Sequence, residues 1–239
     1  MAPARGGRLS EETAPLVVET RALTRRYAGV DVLSEVSVRV PAGRKVALIG
    51  SNGAGKTTLL SLLSTLVQPT SGEAWIAGHS LRGRSAALRR SLGVLRHSPM
   101  LYEALSPLEN LAFFARLYDV PAAPARIEEL LRLLGLWRRR YEPVAILSRG
   151  THQRLSIARA LIHRPPVLLV DEPETGLDPD GIALLDEVML RAPGVTVLAA
   201  THRVDRIDAW ADGVIRLDRG RVVEDTVSPP APVAPAVSA

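Results

Sequence analysis

Nine consecutive residues, Gly50-Ser51-Asn52-Gly53-Ala54-Gly55-Lys56-Thr57-Thr58, carry the spacing G-x-x-x-x-G-K-[ST] at every fixed position. Glycines in such a loop let the backbone wrap until successive N–H groups converge on an anion. Lys56 has the reach to meet the β- and γ-phosphates of a nucleotide, and the hydroxyl of Thr57 can ligand Mg²⁺. The flanks suit that task. Lys45-Val46-Ala47-Leu48-Ile49 reads as a buried β-strand, and Leu59-Leu60-Ser61-Leu62-Leu63 opens an apolar helix. A helix N-terminus there would add partial positive charge facing the same anion.

Two further polar points follow aliphatic runs. Val167-Leu168-Leu169-Val170 ends in Asp171-Glu172, and Val195-Thr196-Val197-Leu198-Ala199-Ala200 ends in Thr201-His202. Continuous apolar runs of this kind mark strands buried on both faces. In open α/β sheets ligands bind outside the carboxyl ends of the strands. Asp171 and Glu172 could simply cap the next segment, and His202 could be an exposed polar residue. Downstream of a phosphate-binding loop, however, an aspartate at a strand end is what nucleotide-bound Mg²⁺ requires. Glu172 can then polarise a water for attack on a γ-phosphate, and His202 can contact that phosphate. Tyr27, between two candidate strands, is either a partly buried core tyrosine or an aromatic face under an adenine base.

The elements that must position these groups are legible in outline. Leu16–Thr20 starts a strand, and Asp31–Val40 alternates as a half-buried strand ending at Pro41-Ala42-Gly43. A small antiparallel region thus precedes the phosphate loop. Ser106-Pro107-Leu108-Glu109 has the form of a helix start, with a Ser cap, Pro at the first position and Glu at the third. Asn110 to Tyr118 continues that helix, and Ala125 to Leu136 gives a second one with Ile127, Leu130, Leu131 and Leu134 on one face. Residues 99–144 therefore read as a helical insert. Leu147–Thr151 reads as a loop entering a helix over His152–Ile162, further helices are expected over Pro179–Arg191 and Arg203–Ala211, and Val214–Leu217 with Arg221–Val223 forms a hairpin. The expected organisation is a tail at 1–15, one domain over 16–225, and a Pro/Ala/Ser-rich tail at 226–239, both tails disordered.

Composition narrows the classes. The 239 residues contain no cysteine, which excludes disulfides and thiolate metal sites. No apolar run approaches the ~20 residues of a spanning helix, and no signal peptide is expected. The formal charge of +5 comes almost wholly from arginine; Lys45 and Lys56 are the lysines. The arginines are dispersed and aromatic residues are 4%, so a solvated basic face is expected rather than nucleic-acid binding.

Taken in order, the phosphate loop, the helical insert, Leu147-Ser148-Arg149-Gly150-Thr151 with Gln153-Arg154, Asp171-Glu172-Pro173, Gly176-Leu177-Asp178-Pro179 and His202 resemble the nucleotide-binding subunit of ATP-binding-cassette (ABC) transporters from about Leu16 to Val223. The resemblance implies an α/β fold: a P-loop NTPase core with a mostly parallel sheet, a small N-terminal antiparallel β region and an inserted α-helical subdomain. It implies ATP and Mg²⁺ as ligands, with Thr57 and Asp171 on the metal, Glu172 and His202 catalytic, and Tyr27 stacking on adenine. It also implies a homodimer or pseudo-dimer sandwiching two ATP molecules. There Ser148 and Gly150 would reach the partner's γ-phosphate, and Asp178 would link the two sites. Transmembrane permease subunits would convert the motion into transport, with the chain peripheral on the cytoplasmic face of the bacterial inner membrane. Two departures stand out. Arg149 and Thr151 replace the third and fifth residues of Leu-Ser-Gly-Gly-Gln, and His97 followed by Ser98 stands where a glutamine is usual. Leu95–Tyr102, Leu105–Leu111, Ala115–Tyr118 and Leu147–Leu161 look like the haem-exporter ATPase of cytochrome c maturation. Exporters of drugs, lipids or polysaccharide are the alternative. About 90 residues separate Thr58 from Leu147 and no long heptad pattern occurs, which disfavours soluble cassettes acting on DNA or ribosomes.

Overall fold

A computed structural model describes residues 15–96, 98–172, 179–187 and 194–228. His97, Asp178 and most of both tails lie outside the described residues. In chain order the strands are β1 (Leu16–Tyr27), β2 (Val30–Val36), β3 (Arg39–Pro41), β4 (Lys45–Ile49), β5 (Ser71–Ile76), β6 (His79–Ser80), β7 (Leu92–Leu95), β8 (Val167–Asp171), β9 (Thr196–Ala200), β10 (Gly213–Asp218) and β11 (Arg221–Asp225). The helices are α1 (Lys56–Leu63), α2 (Ala86–Arg90), α3 (Pro107–Leu117), α4 (Ala123–Leu133), α5 (Arg149–Leu161) and α6 (Pro179–Leu185).

The described strands form two sheets. One is antiparallel, in the order β2-β1-β5-β6 with β3 also on β1; the other runs β11-β10-β4-β9-β8-β7 and is parallel from β10 to β7. Period-2 alternation covers the second sheet on both sides. Val167 and Leu169 of β8, with Leu198 and Ala200 of β9, join the core shared with α1 and the antiparallel sheet. Leu168 and Val170, with Val197 and Ala199, join the core of the helical insert and α5. Every residue of β4, β8 and β9 is buried, so their polar ends are held on rigid strands.

Several expectations are refined. The run Asp31–Val40 is two strands, because the chain breaks at Ser37-Val38. The Thr20 hydroxyl bridges that break, donating to the Val36 carbonyl at 2.9 Å and accepting from the Val38 N–H at 3.0 Å. Arg203–Ala211 is a 3-10 segment over Val204–Ala209 rather than an α-helix. Residues 226–228, assigned to a disordered tail, are hydrogen-bonded. The Thr226 N–H donates to the Val214 carbonyl at 3.0 Å, and the Ser228 hydroxyl accepts from the Arg39 N–H at 2.7 Å.

The start of α3 is a full capping box. Ser106 Oγ accepts from the Glu109 N–H at 3.3 Å, while the Ser106 N–H and hydroxyl donate to Glu109 Oε2 at 2.8 and 2.7 Å. These donors hold the Glu109 carboxyl below the usual glutamate range. Because the folded carboxyl is the stronger acid, its stabilisation is present above the ordinary glutamate range and is lost as pH falls through the lower folded value. Ser106→Ala is expected to cost about 1 kcal/mol, or roughly 2–4 °C in Tm for a chain of this size. Thermal melts should show that deficit at neutral pH and a smaller one in acid.

Candidate nucleotide site

The loop after β4 is shaped by contacts that leave no room for side chains at two glycines. Gly50 has φ 149°, and a Cβ there would lie 2.3 Å from the Leu217 carbonyl oxygen of β10. Gly55 has φ 105°, and a Cβ would lie 2.6 Å from Leu33 Cδ2 and 3.0 Å from the Val32 carbonyl oxygen of β2. The loop is therefore clamped between the two sheets. It is also tied to the β10–β11 turn, since the Gly220 N–H donates to the Ala54 carbonyl at 3.0 Å.

Lys56 opens α1 and is 6% exposed. Its ammonium donates to the Gly50 and Ser51 carbonyls of its own loop at 2.7 and 3.1 Å. Burial lowers its pKa from the ordinary lysine value, while the carboxylates of Glu172 and Asp171 pull it the other way. The Thr57 hydroxyl donates to Asp171 Oδ1 at 3.1 Å, so the first turn of α1 is joined to the end of β8. Burial pushes the Asp171 carboxyl up; the bond from Thr57 pulls it down, Glu172 pushes it up, and Arg96 and Lys56 pull it down.

Glu172 follows directly, with φ 50° and its N–H donating to the Ala200 carbonyl at 3.0 Å. A left-handed glutamate is a costly backbone state held by its surroundings. It turns the carboxylate toward β9, where His202 Nε2 meets Glu172 Oε1 in a hydrogen bond. Thr201 anchors that end of β9, its N–H donating to the Leu48 carbonyl at 3.3 Å. Val32, Asn52 to Thr58, Glu172 and His202 line one open cleft of about 300 Å³.

The donor set can accept a triphosphate with a hard cation. Thr57 and Asp171 offer two adjacent oxygens. That suits Mg²⁺, which binds through one or two protein oxygens and completes its shell with phosphates and water.

Ser148, Gly150 and Tyr27 do not line this cleft. The expected loop at Ser148 is a helix start: Ser148 N-caps α5, accepting from the Thr151 N–H at 3.3 Å, and α5 begins at Arg149. Tyr27 ends β1 with 42% of its surface exposed. Sequence reasoning missed Val32, which lines the cleft from β2, and Leu217, which presses on Gly50. Neither carries a local signal, because both meet the loop only through sheet pairing.

Comparison with known proteins gives the family. Residues 33–175 match the ABC transporter family. The chain is 38% identical over 205 residues to the daunorubicin resistance ATP-binding protein DrrA3 of Streptomyces coeruleorubidus, covering 84% of this chain and 65% of that one. It is 36% identical over 222 residues to the methionine import ATP-binding protein MetN of Symbiobacterium thermophilum, covering 87% and 67%. It thus spans about two thirds of the length of these relatives. An ATP-binding cassette solved as a dimer in a post-hydrolysis state with ADP and Pi superposes with TM-score 0.80 at 26% identity, over 87% of this chain and 97% of that one. A loop built for phosphate, two carboxylates at its mouth and a family match across both place the chain among the ABC transporter ATP-binding proteins, as an ATPase.

Proposed function

We propose that this chain hydrolyses ATP to drive an exporter whose membrane-spanning subunits are separate chains, docking on the cytoplasmic face of a bacterial cell membrane. The observation that carries the reading is the convergence of Lys56, Thr57, Asp171, Glu172 and His202 at one cleft mouth, in a structure whose described residues include no helix long and apolar enough to cross a membrane.

The roles follow from position. Gly50 to Thr58 wrap the phosphates, and Lys56 exchanges its two loop carbonyls for phosphate oxygens. Thr57 and Asp171 hold Mg²⁺, which when bound neutralises charge on the phosphates. Glu172 orients the attacking water and takes its proton, and His202 fixes the Glu172 carboxylate and faces the γ-phosphate. Ser148 and Gly150, exposed or partly exposed at the start of α5 and away from this cleft, serve the cleft of a second copy. Asp178 is assigned the link between the two sites.

The cargo reading leans on the drug-resistance relative and points to export of a drug-like small molecule. Haem export in cytochrome c biogenesis is the second reading, favoured by the stretches Leu95–Tyr102 and Leu105–Leu111 and by Arg149. A detergent pull-down of the tagged chain from native membranes, with partners identified by mass spectrometry, tests both. A polytopic permease is expected. Haem-handling membrane proteins would select the second reading, and ribosomes or DNA without any membrane protein would overturn the transport reading.

A further inference from the structure

The ring of Tyr27 is gripped from one side. β1 and β2 join through Ala28 (φ 44°) and Gly29 (φ 85°), with Tyr27 paired to Val30. Two positive φ values are those of a primed hairpin turn, which matches the twist of the strands. Just inside the turn β2 carries an extra residue: Arg26 pairs with Asp31 and Arg25 with Leu33, leaving Val32 without a partner on β1. Such a bulge re-aims the chain, and Val32 is the β2 residue that lines the phosphate cleft. One hairpin therefore carries both Val32, which lines the cleft, and Tyr27, which sits next to the turn.

Arg25 lies over that ring, its guanidinium carbon 4.2 Å from the centroid. Its Nη1 donates to the Gln68 carbonyl at 2.9 Å, and its Nε is buried with no hydrogen-bond partner. The neighbouring Arg26 turns instead to Asp31, with Nε donating at 2.6 Å, so that carboxylate is already engaged. A guanidinium tethered at one end and dehydrated at the other is held against the ring rather than free in water.

We propose that Arg25 is a positioning residue for the nucleotide base: anchored on Gln68, it clamps one face of Tyr27 and presents the other to adenine. The proposal rests on the reading of Tyr27 as the base platform. Arg25 touches no nucleotide atom, and its effect passes only through the ring. Ligands with a base should feel it, and ligands without one should not.

Calorimetric titration of the full chain with ATP and with inorganic tripolyphosphate, which has no base, tests this. Arg25→Ala is expected to weaken ATP about two- to fivefold, the value of one exposed cation–ring contact. Tripolyphosphate affinity and kcat at saturating ATP should be unchanged. Arg25→Lys, which keeps a cation and a donor for Gln68, should recover part of the loss. In a Tyr27→Ala background, Arg25→Ala should have no further effect. Equal losses for ATP and tripolyphosphate, or additive losses with Tyr27→Ala, would overturn the proposal. If Tyr27→Ala weakens ATP and Arg25→Ala does not, the clamp alone is wrong. If Tyr27→Ala itself leaves ATP binding intact, the base-platform reading fails and takes the clamp with it.

Discussion

Glu172→Gln is expected to bind ATP as the native chain does and to lose turnover by about 10²–10⁴-fold, the range of a lost general base. The substitution keeps the shape of the side chain, and an amide oxygen can still accept a hydrogen bond. What it cannot do is take a proton at neutral pH. The left-handed backbone at Glu172 and its N–H bond to the Ala200 carbonyl do not depend on the carboxylate, so the site should stay assembled. If hydrolysis is what separates two ATP-bound copies, the variant should accumulate as a dimer in ATP and not in ADP. Phosphate release and size-exclusion chromatography read the two effects separately. A wild-type rate would move the base to another group.

Lys56→Ala is expected to act on binding itself. The Lys56 ammonium is buried and donates to the carbonyls of Gly50 and Ser51. Those partners are modest ones for a buried cation whose burial already disfavours its charge. A triphosphate is a far better partner, and the loss of a charged hydrogen bond is worth about 1.5–3 kcal/mol, or roughly 10- to 150-fold in affinity. The upward shift in Tm that ATP produces in the native chain should therefore shrink or vanish in Lys56→Ala. An undiminished ATP-induced shift would show that the phosphates bind elsewhere.

The two predictions differ in how far their residues could be read in advance. Lys56 belongs to a loop whose spacing is local, so its chemistry was legible before any fold was known. Asp171, Glu172 and His202 were legible one step later, because continuous aliphatic runs reveal buried parallel strands and such strands carry ligands at their carboxyl ends. Their gathering at one nucleotide was implied by the family resemblance, but the direct bonds of Thr57 to Asp171 and of Glu172 to His202 were not legible. Thr57 and Asp171 are 114 positions apart, and Glu172 and His202 are 30 apart. They come together because β4, β9 and β8 are neighbours in that order.

The misreadings have the same origin. Asp31–Val40 alternates as one strand, yet the Thr20 side chain and the pairing partners of β1 divide it, since alternation records which face is buried and not which strand lies opposite. Leu147–Thr151 reads as a loop, whereas the Ser148 hydroxyl caps α5; the capping residue belongs to both states, and propensity does not fix a boundary.

The sequence by itself determined the phosphate loop, the aliphatic strands with their acidic and histidine ends, the capping box at Ser106 and the family, because each is written in residues close together along the chain. Only the tertiary structure decided that Val32 and Leu217 shape the loop, that Arg25 covers Tyr27, and that Ser148 lies outside its own chain's cleft. Those relations depend on sheet order, a bulge and the pairing of distant strands, which are set by how buried faces fit together in three dimensions rather than by local spacing.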